Sequence, residues 1–133
     1  MSALAIDTSA YAAFKLGRTD AVAAIRAHER LVVPAIVLGE LHAGFAVGAH
    51  TEKNRDELEA FLSSPRVSVA AIGEPTAECY AAIYAALRRK GTPVPTNDLW
   101  IAASTMEHGA VLLTADAHFE KIPQILVRRL APA

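Results

Sequence analysis

The fold is decided by an apolar run that ends at an acid, LAIDTSAY at residues 4–11. Leu4-Ala5-Ile6 contains no polar residue and is bounded by Asp7, which predicts a short buried strand. The residues that follow predict a helix from about Ser9 to Leu16, ended by Gly17. A buried strand that leads directly into a helix is the opening unit of an α/β fold.

The same alternation of strands and helices continues along the chain. Mainly apolar segments at 31–33, 67–72, 111–113 and 125–130, the last interrupted by Arg128 and Arg129, predict strands. Helices are predicted from 19 or 20 to 28, at 36–47 and 51–62, from 75 to about 90, and from 97 or 98 to 108. We therefore expect a mainly parallel sheet flanked by helices on both faces, the form that binds ligands at the carboxyl ends of its strands.

Composition narrows the class of protein. The chain has 133 residues, of which 53% are hydrophobic, and a formal net charge of -1. These values exclude a disordered chain and give no support to a strongly basic nucleic-acid-binding surface. No apolar run is long enough for a membrane span, no secretory signal is recognised, and Cys79 is the only cysteine. We expect a cytoplasmic protein with no membrane association.

Four acids occupy positions that an ordinary solvated acid avoids. Asp7 follows the first strand, and Asp116 comes two residues after the strand that ends near Thr114. Glu40 lies on an apolar helix without another charged residue, and Asp98 opens a helix whose inward row is predicted to be apolar. Carboxyl ends of parallel strands share one edge of the sheet, so we expect these acids to gather there.

Each acid alone has an ordinary explanation as a turn, cap or surface residue. As a set they indicate a function, because none has a Lys or Arg within four residues in sequence. Gathered carboxylates repel one another and resist desolvation, and a divalent cation removes that cost. Oxygen ligands without a thiolate suit Mg²⁺ or Mn²⁺. The five histidines show no metal-binding helical pair, so a zinc site is not expected.

Four segments together resemble PIN-domain nucleases, and more narrowly the VapC-type toxins of prokaryotic type II toxin–antitoxin pairs. They are LAIDTSAY at 4–11, VVPAIVLGEL at 32–41, TNDLWIAA at 96–103 and LLTADAHF at 112–119. The resemblance covers essentially the whole chain and implies a single PIN-like domain over residues 1–133. It also implies a metal-dependent endoribonuclease that uses Mg²⁺ or Mn²⁺.

The resemblance assigns roles to five residues. Asp7, Asp98 and Asp116 would be metal ligands, and Glu40 would be the fourth catalytic acid, acting through a water molecule. Thr114 would orient the carboxylates with its hydroxyl. The implied partners are an RNA substrate, a cognate antitoxin whose tail lies in a groove beside the acids, and a second copy of the chain in a homodimer.

Two other functions compete with this one. A phosphoacceptor-type regulatory domain also gathers acids at a sheet edge with Mg²⁺, but it needs a lysine at a strand end. None of the lysines, Lys15, Lys53, Lys90 and Lys121, ends a predicted strand. A catalytically idle PIN scaffold would be indicated by the loss of one of the four acids, and all four are present.

The fifth predicted helix carries features that have structural explanations. Its stripe of Tyr80, Ile83, Tyr84 and Leu87 has the spacing of a core face. Its end, Arg88-Arg89-Lys90, places cations where the helix dipole favours them. Trp100 on the next helix is predicted to face away from Asp98 and to pack against protein.

Overall fold

The structure is a computed structural model that describes residues 3–132. Five strands form one sheet, all neighbours are parallel, and the order is β3-β2-β1-β4-β5. The strands are β1 (Leu4–Ile6), β2 (Leu31–Pro34), β3 (Val67–Ala70), β4 (Val111–Thr114) and β5 (Leu126–Arg129). The predicted α/β architecture is confirmed. The domain predicted over residues 1–133 includes Met1, Ser2 and Ala133, which lie outside the described residues.

Six α-helices and one 3₁₀ segment connect the strands. They are α1 (Thr8–Lys15), α2 (Thr19–Arg26), α3 (Ala35–Val47), α4 (Thr51–Leu62), α5 (Glu74–Lys90), α6 (Thr96–Glu107) and the 3₁₀ segment Ala117–Lys121. Left-handed glycines follow several predicted helix ends, for example Gly91 with φ 68° after α5. The 3₁₀ segment was not predicted.

Two predicted boundaries are wrong by two residues. Helix α2 ends at Arg26 rather than His28, because Ala27 already forms its C-cap. Strand β3 ends at Ala70 rather than Ile72, because its partner β2 ends at the paired residue Pro34. An edge strand with one neighbour has no ladder to continue once that neighbour ends.

The strand order reverses at β1, and this reversal positions the site. The chain builds β2 and β3 outward on one side of β1 and then returns to place β4 on the other side. Parallel neighbours are joined by right-handed crossovers, so the reversal puts helices on both faces of the sheet. Loops that leave the carboxyl ends of β1 and β4 diverge, and such a point forms a ligand-binding crevice.

The core lies around the three central strands. Strands β1 and β2 are buried along their full length, and β4 is buried except at Val111. In α6, Ile101, Ala102 and Thr105 are buried. They lie on the side of the helix that begins at Asp98, which was predicted to face inward. Within residues 3–132, no helix combines the length and apolar content that a bilayer crossing requires.

Candidate active site

Asp7 lies where β1 passes into α1, and its carboxylate is almost fully buried, with 4% of the residue exposed. One oxygen, Oδ1, accepts hydrogen bonds from the backbone N–H of Ala10 (2.8 Å) and from Ser9 Oγ (2.7 Å). The other, Oδ2, accepts a bond from Thr114 Oγ1. Burial raises the pKa of Asp7, and these three donors act in the opposite direction. Asp7 is therefore held in one orientation by the protein itself.

Thr114 and Ser9 tie the loop after β4 to Asp7. Thr114 is fully buried and, besides donating to Asp7, accepts the backbone N–H of Asp116 at 2.9 Å. Ser9 Oγ accepts the backbone N–H of Ala115 at 2.9 Å. Thr114 therefore lies between Asp7 and the backbone of Asp116.

Asp98, Asp116 and His118 form the other half of the site. One ligand atom from each of the three residues lies within 4.8 Å of the others. His118 Nδ1 is 3.3 Å from Asp116 Oδ1 and 3.8 Å from Asp98 Oδ2. Asp116 Oδ1 also accepts the backbone N–H of His118 at 2.8 Å, which caps the 3₁₀ segment. Asp98 has no hydrogen-bond donor among the described residues, although its side chain is only 15% exposed.

The charges of the four acids act on one another. Burial is the largest cause that raises the pKa of Asp98 to about 6, and the negative charges of Asp116, Glu40 and Asp7 raise it further. Only His118 opposes them. Because the charges of all three other acids act on Asp98, the structure brings the four acids near one another. In the described part of the chain, no Lys or Arg forms an ion pair with any of the four.

Glu40 is fixed by two neutral donors from different helices. Thr8 Oγ1 of α1 donates to Oε1, and Asn97 Nδ2 of α6 donates to Oε2 at 3.2 Å. A carboxylate with a donor on each oxygen has a defined orientation. Glu40 thus connects α3 to α1, whose N-cap is Asp7, and to α6, which carries Asp98 in its first turn.

Four residues of the site were missed in the sequence: Thr8, Ser9, Asn97 and His118. Each stands within two residues of one of the acids. A hydroxyl, amide or imidazole within two residues of Asp7, Asp98 and Asp116 is a signal that could have marked these residues as part of the site, although not their bonds to Glu40.

The donor set fits a divalent cation. Oxygen atoms predominate, the local charge is negative, and burial, followed by repulsion from the neighbouring acids, keeps the pKa of Asp98 high. Hard oxygen ligands favour Mg²⁺ and Mn²⁺, and the imidazole of His118 is compatible with Mn²⁺. The arrangement can therefore hold a metal ion that balances the carboxylates.

Comparisons with known proteins agree with this site and fold. Residues 4–125 match the PIN domain family. Ribonuclease VapC4 of Mycobacterium tuberculosis is 32% identical over 95 residues, which cover 71% of this chain and 73% of that protein. Ribonuclease VapC2 of Rickettsia felis is 29% identical, over 73% of this chain and 72% of that protein.

A solved structure extends the likeness to nearly the whole fold. A chain of the DNA-bound VapBC crystal structure from Salmonella typhimurium superposes with a TM-score of 0.85 and 29% identity. The superposition covers 97% of this chain and 98% of that chain. The family match, the VapC relatives and the shared fold agree, and the chain belongs to the PIN domain family, in its VapC group.

Proposed function

We propose that this protein is the toxin of a type II toxin–antitoxin pair, a Mg²⁺- or Mn²⁺-dependent endoribonuclease that hydrolyses RNA phosphodiesters. The observation that carries the proposal is that the carboxylate of Asp98 is largely buried among other acids. Burial and three neighbouring acids raise its pKa to about 6, and no Lys or Arg in the described residues neutralises the group. A site of this kind is stabilised by a divalent cation, and the VapC relatives are named ribonucleases.

In this proposal Asp7, Asp98 and Asp116 would hold the ion. When bound, it would lower the pKa of a water molecule and stabilise negative charge at the phosphate. Either Glu40, held by Thr8 and Asn97, or Asp116 would orient the attacking water and accept its proton. Thr114 keeps Asp7 and the Asp116 backbone in register.

A water nucleophile is favoured because no serine in the region is free to attack. Ser9 Oγ donates to Asp7 and accepts the N–H of Ala115, so its hydroxyl is committed. Ser104 is fully buried in α6 and out of reach of a substrate. Covalent catalysis needs a nucleophile that is free to reach the substrate, and neither serine is free in this way.

The test is RNA cleavage by the purified chain with and without metal. Wild type should cleave RNA in Mn²⁺ or Mg²⁺, and EDTA should stop it. Asp116→Asn should be inactive, whereas Glu120→Gln, an exposed acid paired with Arg129 at 3.3 Å, should behave as wild type. Full cleavage in EDTA would overturn the proposed function.

The two alternatives receive no support from the site. A phosphoacceptor domain needs a lysine beside its acids, and Lys15 instead pairs with Glu57 at 3.5 Å on the outside of α1 and α4. In the described residues no lysine forms an ion pair with any of the four acids of the site. An idle scaffold has no need to gather all four carboxylates, which repel one another.

We propose that the antitoxin occupies a groove of about 460 Å³ between α1, α3 and α4. Leu41 and Phe45 line it, and Tyr11 contributes a buried hydroxyl with no partner among the described residues. Burial raises the pKa of Tyr11 to about 12, so the hydroxyl stays protonated. Leu41 follows Glu40 on α3, which supports a groove near the acids.

Solved relatives of this fold are VapBC complexes, which supports an antitoxin partner. Co-expression with the adjacent gene tests the proposal. A co-purified complex should cleave RNA more slowly than the free chain, and equal rates would contradict an antitoxin that covers the site.

We also propose that the chain forms a homodimer in the cytoplasm. Several large apolar side chains are exposed, among them Val47 at 89% and Leu126 at 72%, and a second copy could cover such surface. Light scattering at tens of micromolar decides the point. A mass near 14.1 kDa would refute the dimer, and twice that mass would support it.

A further inference from the structure

A second cavity, of about 320 Å³, lies between the last turns of α5 and the loop that leads into α6. Its walls include Tyr84, Leu87, Arg88, Pro93, Val94 and Leu99. The volume falls in the range of about 300–1,000 Å³ that small-molecule sites occupy. The lining is mainly apolar, with one guanidinium and one phenol among the lining side chains.

The cavity and the acidic site share one short segment of chain. Val94 and Leu99 line the cavity, whereas Asn97, between them, donates to Glu40 at 3.2 Å. Asp98 is the residue directly before Leu99. The first turn of α6 therefore connects the cavity to the carboxylates of the active site.

Aromatic side chains make one edge of this region rigid. Tyr80 stacks on Trp100 with ring centroids 4.1 Å apart and an interplanar angle of 26°. Tyr84 lies nearly parallel to Tyr80 at 6.2 Å and is 44% exposed. The stripe that the spacing assigned to the core is thus divided, since Ile83 and Leu87 are buried and Tyr84 is at the surface. A fixed, exposed ring is a platform on which a nucleobase stacks.

The charge beside the cavity suits a polyanion. Helix α5 ends in Arg88-Arg89-Lys90, and none of these cations has an ion pair within the described residues. Arg88 Nη1 reaches Tyr84 Oη at 3.4 Å, so the run begins at the aromatic edge. Four carboxylates repel RNA, and unpaired cations nearby would offset that repulsion.

We propose that this cavity binds one unpaired nucleobase of the RNA substrate, stacked against Tyr84, while Arg88 and the cations after it hold flanking phosphates. The inference rests on the proposed ribonuclease function and assigns Tyr84 and Arg88 to the binding of the substrate. Bases in a duplex are stacked and paired, so only an unpaired base can enter such a pocket.

The experiment measures binding of a fluorescent single-stranded RNA to the full chain carrying Asp98→Asn, which prevents cleavage. Adding Tyr84→Ala or Arg88→Ala should weaken binding about tenfold each. Arg88→Ala should also lower the slope of log affinity against log salt by about 1. Tyr84→Phe keeps the ring and should bind normally.

Arg26→Ala provides the matched control, because Arg26 is likewise a cation in the last turn of a helix. It should leave RNA binding unchanged. A blunt-ended RNA duplex of the same sequence should bind more weakly than the single strand. Arg88 is exposed, so Arg88→Glu keeps the test valid if Tyr84→Ala fails to fold.

Failure of this inference is separable from failure of the proposed function. If wild type cleaves RNA and the Tyr84 and Arg88 variants bind as tightly as their parent, the pocket does not hold the substrate. If Tyr84→Ala converts a dimer to a monomer with RNA affinity per chain unchanged, the face contacts a second copy and the inference is wrong. If wild type cleaves no RNA in metal, the proposed function itself fails.

Discussion

The two halves of the acidic site hold their carboxylates by different means. Asp7 receives three hydrogen bonds, from Ser9, Ala10 and Thr114. Asp98 receives none in the described residues, and its pKa is raised to about 6 by burial and then by other acids. The first half is organised by the protein alone, and the second needs a cation to offset its charge. The ion should therefore matter most at Asp98 and Asp116.

Removing a carboxylate from the second half should give the largest effect. Changes to groups that only support metal ligands cost about 10–100-fold in affinity or activity, so loss of a ligand should exceed that range. Asp98→Asn should weaken Mn²⁺ binding at least about a hundredfold in calorimetric titrations. Unchanged Mn²⁺ affinity would show that the open half holds no ion.

Removing a donor from the first half should cost stability as well as activity. Thr114→Val leaves a buried oxygen of Asp7 and the backbone N–H of Asp116 without their partner. Each unsatisfied group costs about 1–3 kcal/mol, which urea unfolding in EDTA would detect. Activity should fall about 10–100-fold.

Thr114→Ser restores the hydroxyl and serves as the control. It should recover most of the lost stability and rate. If Thr114→Val unfolds at the same urea concentration as wild type, the hydrogen bonds to Asp7 contribute nothing measurable.

The raised pKa of Asp98 predicts the direction of a pH effect without metal. A carboxyl whose pKa is higher in the folded state binds more protons folded than unfolded, so the free energy of unfolding falls as pH rises from about 4 to about 6. The shift sets an upper limit of about 3 kcal/mol, and solvent screening reduces it. Asp98→Asn should lack this component and, in EDTA at pH 7, melt at a higher temperature than wild type.

Metal should reverse that trend, because it binds the ionised carboxylates and stabilises only the folded chain. In millimolar Mn²⁺ the melting temperature of wild type should rise with pH through about 6. If the melting temperatures of wild type and Asp98→Asn changed with pH in the same way in EDTA, the raised pKa would not belong to Asp98.

The smallest effect is expected at Asn97. Asn97→Ala removes one of the two donors that orient Glu40 and leaves Thr8 in place. The expected loss is up to about tenfold in kcat, the lower end for a supporting residue, with KM unchanged. Asn54→Ala, an amide on α4 that lines the antitoxin groove, is the matched control. Equal losses in both variants would argue against a positioning role for Asn97.

Sequence patterns predicted the sheet, the helices and the convergence of the four acids, because each rests on local signals. Apolar runs mark strands, glycines mark helix ends, and parallel strands bring their carboxyl ends together. The clamp on Glu40 was not predictable in this way, since Thr8 and Asn97 lie 32 and 57 residues away along the chain. The exposure of Tyr84 was not predictable from its spacing, because residues on the buried and on the exposed face of a helix recur at the same spacing.

The position of Asp7 has a practical consequence for making an inert protein. Its carboxylate is also the N-cap of α1, where it accepts the N–H of Ala10. Replacing an N-cap acid with alanine costs about 0.5–2 kcal/mol, and Tyr11 in the same helix lines the antitoxin groove. Asp7→Ala would thus disturb the structure of α1 as well as remove a carboxylate. If this variant bound the antitoxin poorly, the loss could be wrongly attributed to the missing charge. Asp98→Asn is the sounder choice for trapping either partner.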